Sequence, residues 1–316
     1  MNNTPRTYSV IIPLYNKAGE VERAVRSALA QSLQPLEVVV VDDGSTDGGA
    51  EVVEAIGSPL VRIVRQENKG VCVARNRAMA EAQGTHLALL DADDEWLPDH
   101  LAEVDRLVAE WPECGLYATA FDVVSPTGVV AGHCPTTRGV VENYWQASMR
   151  QYVTIPSTTV IPRVVIGHLG GFPEGMKMGE DQWLWIRIAS HYKVCFSPTR
   201  SVRYSMVASN RSASTYTPEQ TAHSLEELLP MVQANGEQEF WRREFVAKCA
   251  IGKALTLSAK GDRDFGPRVV RNFGYTRHYR WGLWRLRILL LLPRCVRGRV
   301  HQAYQWLSWR LAHKGL

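Results

Sequence analysis

The sequence predicts an α/β fold: a mostly parallel sheet flanked by helices, a mixed second half, and a helical C-terminal extension. Three observations lead there. Short β-branched apolar runs alternate with helix-period segments over the first hundred residues, the pattern of parallel strands joined by crossover helices. After Asp94 the alternation stops and Gly-punctuated strand segments follow one another directly. From Phe265 to Leu316 there are eleven Lys and Arg and no acid, leaving 25 basic and 32 acidic residues elsewhere, so a body of net −7 precedes a basic tail. With 316 residues and 45% apolar content, the chain can bury one large core, or a catalytic domain plus a smaller appendage.

YSVIIPL at Tyr8–Leu14 is a continuous apolar run, as a strand buried on both faces requires. Val21, Ala24, Val25, Ala28 and Leu29 stand at helical spacing within 21–31. Residues 36–41 form a second strand, closed by Asp42-Asp43-Gly44-Ser45, and 48–56 a second helix with Asp47 as its expected cap. A third strand at 61–64, an Ala-rich helix at 71–82 and a fourth strand at 86–90 complete the alternation. Next come a helix at 98–110 with Pro98 in its first turn, a hairpin from 115–124 and Gly128–Ala131, and a strand at 157–161. A helix at 181–191 and a strand at 193–196 follow. Residues 201–217, rich in Ser, read as a mobile loop, and 218 onward as mostly helical.

In such sheets ligands sit beyond the carboxyl ends of the strands. The clusters Pro13-Leu14-Tyr15-Asn16, Asp42-Asp43-Gly44-Ser45 and Asp91-Ala92-Asp93-Asp94 should therefore meet. Three carboxylates after an apolar strand cannot be buried without partners. Alternate residues on an extended segment share a face, so Asp91 and Asp93 are expected to point the same way. A hard divalent ion takes such oxygens, usually one or two carboxylates with phosphate oxygens; an acidic turn accounts for the same residues. Asp42 to Asp47 reads either as a strand-to-helix turn or as an acceptor for the N–H of a nucleotide base. Glu180 and Asp181 open a helix, where acids serve as dipole partners or, alternatively, as a general base.

Absences narrow the class. No Gly-x-Gly-x-x-Gly follows Tyr8–Leu14, and no P-loop, His-Glu-x-x-His or Gly-x-Ser-x-Gly occurs. Six scattered cysteines without a Cys-x-x-Cys pair read as reduced thiols, and the polar N-terminus lacks the apolar stretch of a signal peptide. Both favour a cytoplasmic protein.

In order, the pieces resemble the family 2 glycosyltransferases of the GT-A fold. The resemblance rests on SVIIPLYN (9–16), EVVVVDDGSTD (37–47), ENKGVCVARN (67–76), LLDADDEWLP (89–98) and GEDQWLW (179–185). It is dense over 8–110, thinner to about 215 and weak beyond. It implies an inverting transfer from a nucleoside-diphosphate sugar, UDP being the expected nucleotide with dTDP and GDP open. Pro13 and Tyr15 would line the base pocket, and Asp43, with Asp42, would bind the base edge. Lys69 and Arg75 would lie by the nucleotide, as would Ala92. Asp91 and Asp93 match the Asp-x-Asp motif, with Asp93 the expected Mg²⁺ or Mn²⁺ ligand, Asp91 supporting and Asp94 structural. Asp181 matches the catalytic base, and Arg203 and Arg211 would flank a loop closing over the pyrophosphate. The segment after Asp181 lacks the Gln-x-x-Arg-Trp of processive members, so a single addition is expected.

The expected domains are then 1–217, with a nucleotide-binding half at 1–110 and an acceptor half at 111–217, and a helical basic region at 218–316. Trp281 to Pro293 mixes aromatic, Arg and aliphatic residues, and Arg294, Arg297, Arg299, Trp306, Trp309 and Arg310 follow. The apolar run 288–292 is far short of the roughly 20 residues of a membrane span. Two readings stand: a segment lying peripherally on the inner, anionic face of the cell membrane beside a glycan or lipid-linked acceptor, or a helix packed on the catalytic domain. A sugar nucleotidyltransferase and a non-catalytic carbohydrate-binding module are the alternatives. Nucleic acid is disfavoured by the acidic body.

Overall fold

The computed structural model describes residues 5–176, 178–208, 228–229 and 236–313, the side chains of 306–313 excepted. The chain divides into two compact units: Met1–Gly175 with Glu180–Arg211, and Met176–Gly179 with Ser212–Leu316.

The first unit is built on one ten-stranded sheet. Its parallel part is β1 (Tyr8–Leu14), β2 (Glu37–Asp42), β3 (Val61–Arg65) and β4 (His86–Leu89), in the order β3-β2-β1-β4. Between these strands run α1 (Val21–Leu29), α2 (Gly49–Glu54) and α3 (Val71–Glu81). The apolar run of β1 is buried along almost its whole length, and β2 from Val38 to Asp42, as central parallel strands must be. Register aligns their ends: Leu14 pairs with Asp42, and Asp42 with Arg65. Leu90 N–H donates to Ile11 O at 3.0 Å, which brings the end of β4 alongside β1.

The order continues β4-β9-β6-β10-β5. β9 (Thr159–Pro162) runs antiparallel to both β4 and β6 (Leu116–Ser125), which turns the parallel sheet into a mixed one. β10 (Val194–Ser205) lies parallel to β6 and antiparallel to β5 (Glu95–Trp96). The expected hairpin is present, β7 (Gly128–Ala131) returning along β6. β8 (Gly139–Val140) pairs with β10. α4 (His100–Glu110), α5 (Tyr144–Ser148), α6 (Arg163–Leu169) and α7 (Glu180–His191) complete the unit.

Four sequence expectations are corrected. Residues 201–205 are not a loop but the end of β10, held by pairing to β5 and β6; 209–217, with Arg211, lie outside the described residues. Asp47 does not cap α2, whose cap is Gly48 in the left-handed region; its carboxylate accepts from Gly49 N–H at 3.0 Å and Ala18 N–H at 2.8 Å. The strand expected at 157–161 begins as a 3-10 turn, Pro156–Thr158, because Thr158 N–H closes on Ile155 O. The helix expected from Pro98 starts at His100, since β5 uses the backbone just before it.

The second unit is helical: α8 (Glu237–Ala259), α9 (Phe265–Asn272), α10 (Arg280–Leu291) and α11 (Arg294–His313). Phe245, Val246, Ile251, Leu255 and Leu257 of α8 are buried with Phe265, Val269, Leu283, Leu286 and Leu289 of the helices that follow. Buried Glu244 accepts from Thr276 Oγ1 at 2.6 Å and from the N–H groups of Arg277 and His278 at 2.9 Å, fixing the turn ahead of α10. Among the described residues no helix is long and apolar enough to cross a membrane.

Candidate active site

The three clusters meet because β1, β2 and β4 are adjacent strands. Asp43 N–H donates to Leu14 O at 2.8 Å, and Thr46 N–H to Asn16 Oδ1 at 2.8 Å, stitching the ends of β1 and β2 together. Asn16 takes a positive φ of 49°, and its N–H reaches Ser45 Oγ at 3.0 Å. Tyr15 is exposed at this edge and Pro13 half-buried behind it.

Asp43 is buried and used heavily. Its carboxylate accepts from Gln66 Nε2 at 2.7 Å, Lys69 N–H at 2.9 Å and Gly70 N–H at 2.8 Å, so it fixes the loop leading into α3. Lys69 therefore joins the site first through its backbone; its side chain is exposed. Gly44 is required beneath this loop: its φ is +74°, and a Cβ there would come within 2.9 Å of Asn68 N. Asp42 is buried too and accepts from Ser45 N–H at 3.0 Å.

Arg75, on α3 and only 3% exposed, joins two motifs. It donates to Asp91 at 2.6 Å and to Glu180 at 3.1 Å, and its guanidinium lies 5.0 Å from the Phe172 ring centre. Burial opposes its charge, but Asp91 and Glu180 outweigh that and hold the guanidinium above its usual pKa. Arg75 thus ties the turn after β4 to the first residue of α7, which lies 105 positions along the chain from Arg75 itself.

Asp91 to Asp94 form a tight turn, closed by Asp94 N–H to Asp91 O at 3.0 Å, not the extended segment expected. The two motif carboxylates accordingly take different cations. Asp93 Oδ2 accepts from Lys17 Nζ at 2.8 Å, while Asp91 Oδ1 is held by Arg75. Ala92 between them is buried. Arg23 Nη2 donates to Asp93 O at 2.7 Å and fixes the backbone. Asp94, 1% exposed, accepts from Ser157 Oγ at 2.5 Å and Ser205 N–H at 2.8 Å; burial, then Asp91 and Asp93, push its carboxyl well above the usual range. Ser157 Oγ accepts in turn from Asp91 N–H at 3.0 Å. Asp94 is therefore built into the scaffold, joining the turn to β10.

Asp181 sits in the first turn of α7 and accepts from Gln182 N–H at 2.7 Å. Burial, then the Glu180 charge, push its carboxyl up to about 6, against the opposing pull of Gln182 N–H and Arg75. A carboxyl in that range exchanges a proton near neutrality, as a general base must. Arg203, on β10, faces Glu95 at 3.3 Å.

Among the described residues no group of three or more His, Cys, Asp and Glu is placed to hold a metal by itself. Asp91 and Asp93 each commit one oxygen to a cation. Hard carboxylate oxygens are the donor type that a Mg²⁺ or Mn²⁺ would take, together with diphosphate oxygens and water. Lys17 and Arg23 escaped the sequence reading as site residues. Both follow β1, and only the β1–β4 adjacency places them on the Asp93 turn.

A parallel strand-end nucleotide half joined through β9 to a mixed half is the GT-A architecture. A Staphylococcus aureus TarS fragment, 1–349, solved with UDP-GlcNAc, matches with a TM-score of 0.67 at 20% identity, covering 95% of this chain and 87% of that one. The chain belongs to glycosyl transferase family 2, whose model matches residues 9–184. The putative teichuronic acid biosynthesis glycosyltransferase TuaG of Bacillus subtilis is 36% identical over 131 residues, 40% of this chain and 52% of the relative. The succinoglycan biosynthesis protein ExoO of Rhizobium meliloti is 44% identical over 92 residues, 29% of this chain and 26% of the relative. The chain thus matches about half or less of the length of these curated relatives.

Proposed function

We propose that this glycosyltransferase moves a sugar from a nucleoside-diphosphate donor, UDP-linked, to a hydroxyl of a glycan or lipid-linked acceptor, with inversion and one addition per encounter. The observation that carries the reading is the buried Arg75 bridge, which brings Asp91 of the strand-end turn to Glu180, next to Asp181. The teichuronic acid and succinoglycan biosynthesis of the relatives TuaG and ExoO, and UDP-GlcNAc in the TarS fragment, support a cell-surface polysaccharide and a UDP donor.

The residues divide the work. Tyr15 and Pro13 border the base, with Asp43 and Asp42 at its edge; Asp43's bonds to Gln66, Lys69 and Gly70 keep that edge rigid. Asp93 and Asp91 would hold Mg²⁺ or Mn²⁺, which when bound neutralises charge on the departing diphosphate. Lys17 and Arg75 keep those carboxylates positioned. Asp181, ionised above about pH 6, takes the proton of the acceptor hydroxyl as that oxygen attacks the anomeric carbon. A single displacement inverts that carbon and needs no covalent enzyme intermediate. The basic, Trp-bearing C-terminal segment suits an acceptor carried on an anionic membrane.

The test is thermal stabilisation by UDP, dTDP and GDP, each with and without Mn²⁺, followed by NMR of the product's anomeric proton. UDP stabilising only with metal, and an inverted product, are expected. Equal stabilisation by all three, or a retained configuration, would overturn the reading.

A further inference from the structure

Among the described residues, one side of α10 is largely exposed. Leu283, Leu286 and Leu289 are its buried side. Opposite stand Trp281, Trp284, Ile288 and Leu291, spaced by three and four residues and so forming one stripe. They are 61%, 50%, 36% and 85% exposed. The two indoles stack at 4.7 Å between ring centres, and Trp281 Nε1 donates to Tyr304 Oη at 3.4 Å, so the pair is held in place.

The charges on α10 and at its two ends have one sign. Exposed Arg280 and Arg287, seven residues apart, border it along α10, and exposed Arg277 and Arg294 lie just beyond its two ends. No Asp or Glu occurs from Phe265 to Leu316 to neutralise them. A twelve-residue helix is roughly 18 Å long, against a hydrocarbon core of about 30 Å, so α10 cannot span a bilayer. It has the features of a helix lying in the plane of the interface: indoles at headgroup depth, aliphatics beneath, guanidinium groups on phosphates. Nucleic acid would answer the arginines but leave Ile288 and Leu291 in water.

We propose that α10 is a membrane-docking helix, seating Trp281, Trp284, Ile288 and Leu291 in an anionic phospholipid surface with Arg280 and Arg287 on the phosphates. This deepens and rests on the membrane-carried acceptor of the proposed function, yet it is read without any transfer reaction.

The experiment is flotation of the full chain with vesicles of phosphatidylcholine alone or mixed with phosphatidylglycerol, at low and high salt. The full chain is expected to float with the mixed vesicles, weakly or not at all with phosphatidylcholine, and less at high salt. Arg280→Gln/Arg287→Gln should lower partitioning roughly 30-fold, and Trp281→Ala/Trp284→Ala should lower it at least as far. Both variants change exposed side chains, and unaltered circular dichroism and melting temperature would show that the fold is kept. No flotation of the full chain, or equal flotation of folded variants, would overturn the proposal. So would a dimer in gel filtration that the Trp variant abolishes without any vesicle binding, for the stripe then belongs to a second copy. Flotation by a chain with no transferase activity would leave the docking face standing and remove the transfer reading; the reverse result would do the opposite.

Discussion

Without Arg75, Asp91 and Glu180 would share a largely buried space with no counter-charge between them. Arg75→Met keeps most of the stem against Phe172 and removes the charge. Breaking a buried ion pair from one side costs about 3–5 kcal/mol, which for a unit of this size lowers the melting temperature by roughly 10 °C. Arg75→Lys should recover only part of it, since one ammonium does not reproduce a two-armed bridge. Thermal denaturation checks both. Asp181 carries a prediction in pH. Its carboxyl is raised to about 6, so the ionised base is lost as pH falls through that value, and kcat/KM should climb as pH rises through 6 and then level. Because Glu180 helps raise it, Glu180→Gln should move the midpoint to lower pH; Asp181→Asn should abolish the step and cost about 10²–10⁴ in rate. A pH–rate series on the three proteins reads this. Residue type and motif order single out Asp181, Asp93 and Arg75 in the sequence as candidates, and the structure links Arg75 to Asp91 and Glu180. The sequence left Lys17 and Arg23 unread, because their partner Asp93 is 76 and 70 positions away and only strand adjacency joins them.

Elements with their own period were readable to within a residue or two, Tyr8–Leu14 among them. β5 was not, since two residues carry no period, and neither was the end of β10, where Pro198, Ser201 and Ser205 look like loop and only pairing with β5 and β6 makes a strand. The junction of β5 and α4 depends on His100, fully buried, stacked on Trp96 at 4.4 Å and hydrogen-bonded with Ser201 Oγ at 2.9 Å. Burial pushes its imidazole down to about 3, and burial and then Arg6 push His86 down to about 4. Between those values and about 6.5 the unfolded chain binds protons that the folded chain refuses. The two histidines therefore contribute stability that is full above about pH 6.5 and falls with acidification, by about 2 kcal/mol each at pH 5, while the raised carboxyls of Asp181 and Asp94 act in the opposite direction. Urea denaturation at pH 7 and pH 5 isolates the histidine contribution by comparison: relative to the unaltered chain, His100→Gln should lose about 2 kcal/mol less stability between the two pH values. At the β2 turn, Gly44→Ala forces a Cβ against Asn68 N at a positive φ, so a loss of about 1–3 kcal/mol is expected in the same assay.

At the scale of the molecule, the first unit places its acids in the middle of a continuous sheet. β4 ends in the Asp91 turn, with the parallel half on one side and β9 opening the mixed half on the other. The parallel half was legible because each strand and helix is local. The order β4-β9-β6-β10 was not, because β9 inserts between strands from across the chain and nothing in its four residues names its neighbours. The helical unit was legible as helix and as charge, but not for which side of α10 is left uncovered. In the proposed function Asp93 with a divalent ion and Asp181 as base serve a single transfer. Release of UDP from UDP-sugars in Mn²⁺, by the full chain, Asp93→Ala and Asp181→Asn, tests it most directly. Chelator-sensitive release by the full chain, reduced at least roughly a hundredfold in each folded variant, is the predicted result; release retained by both variants would contradict it.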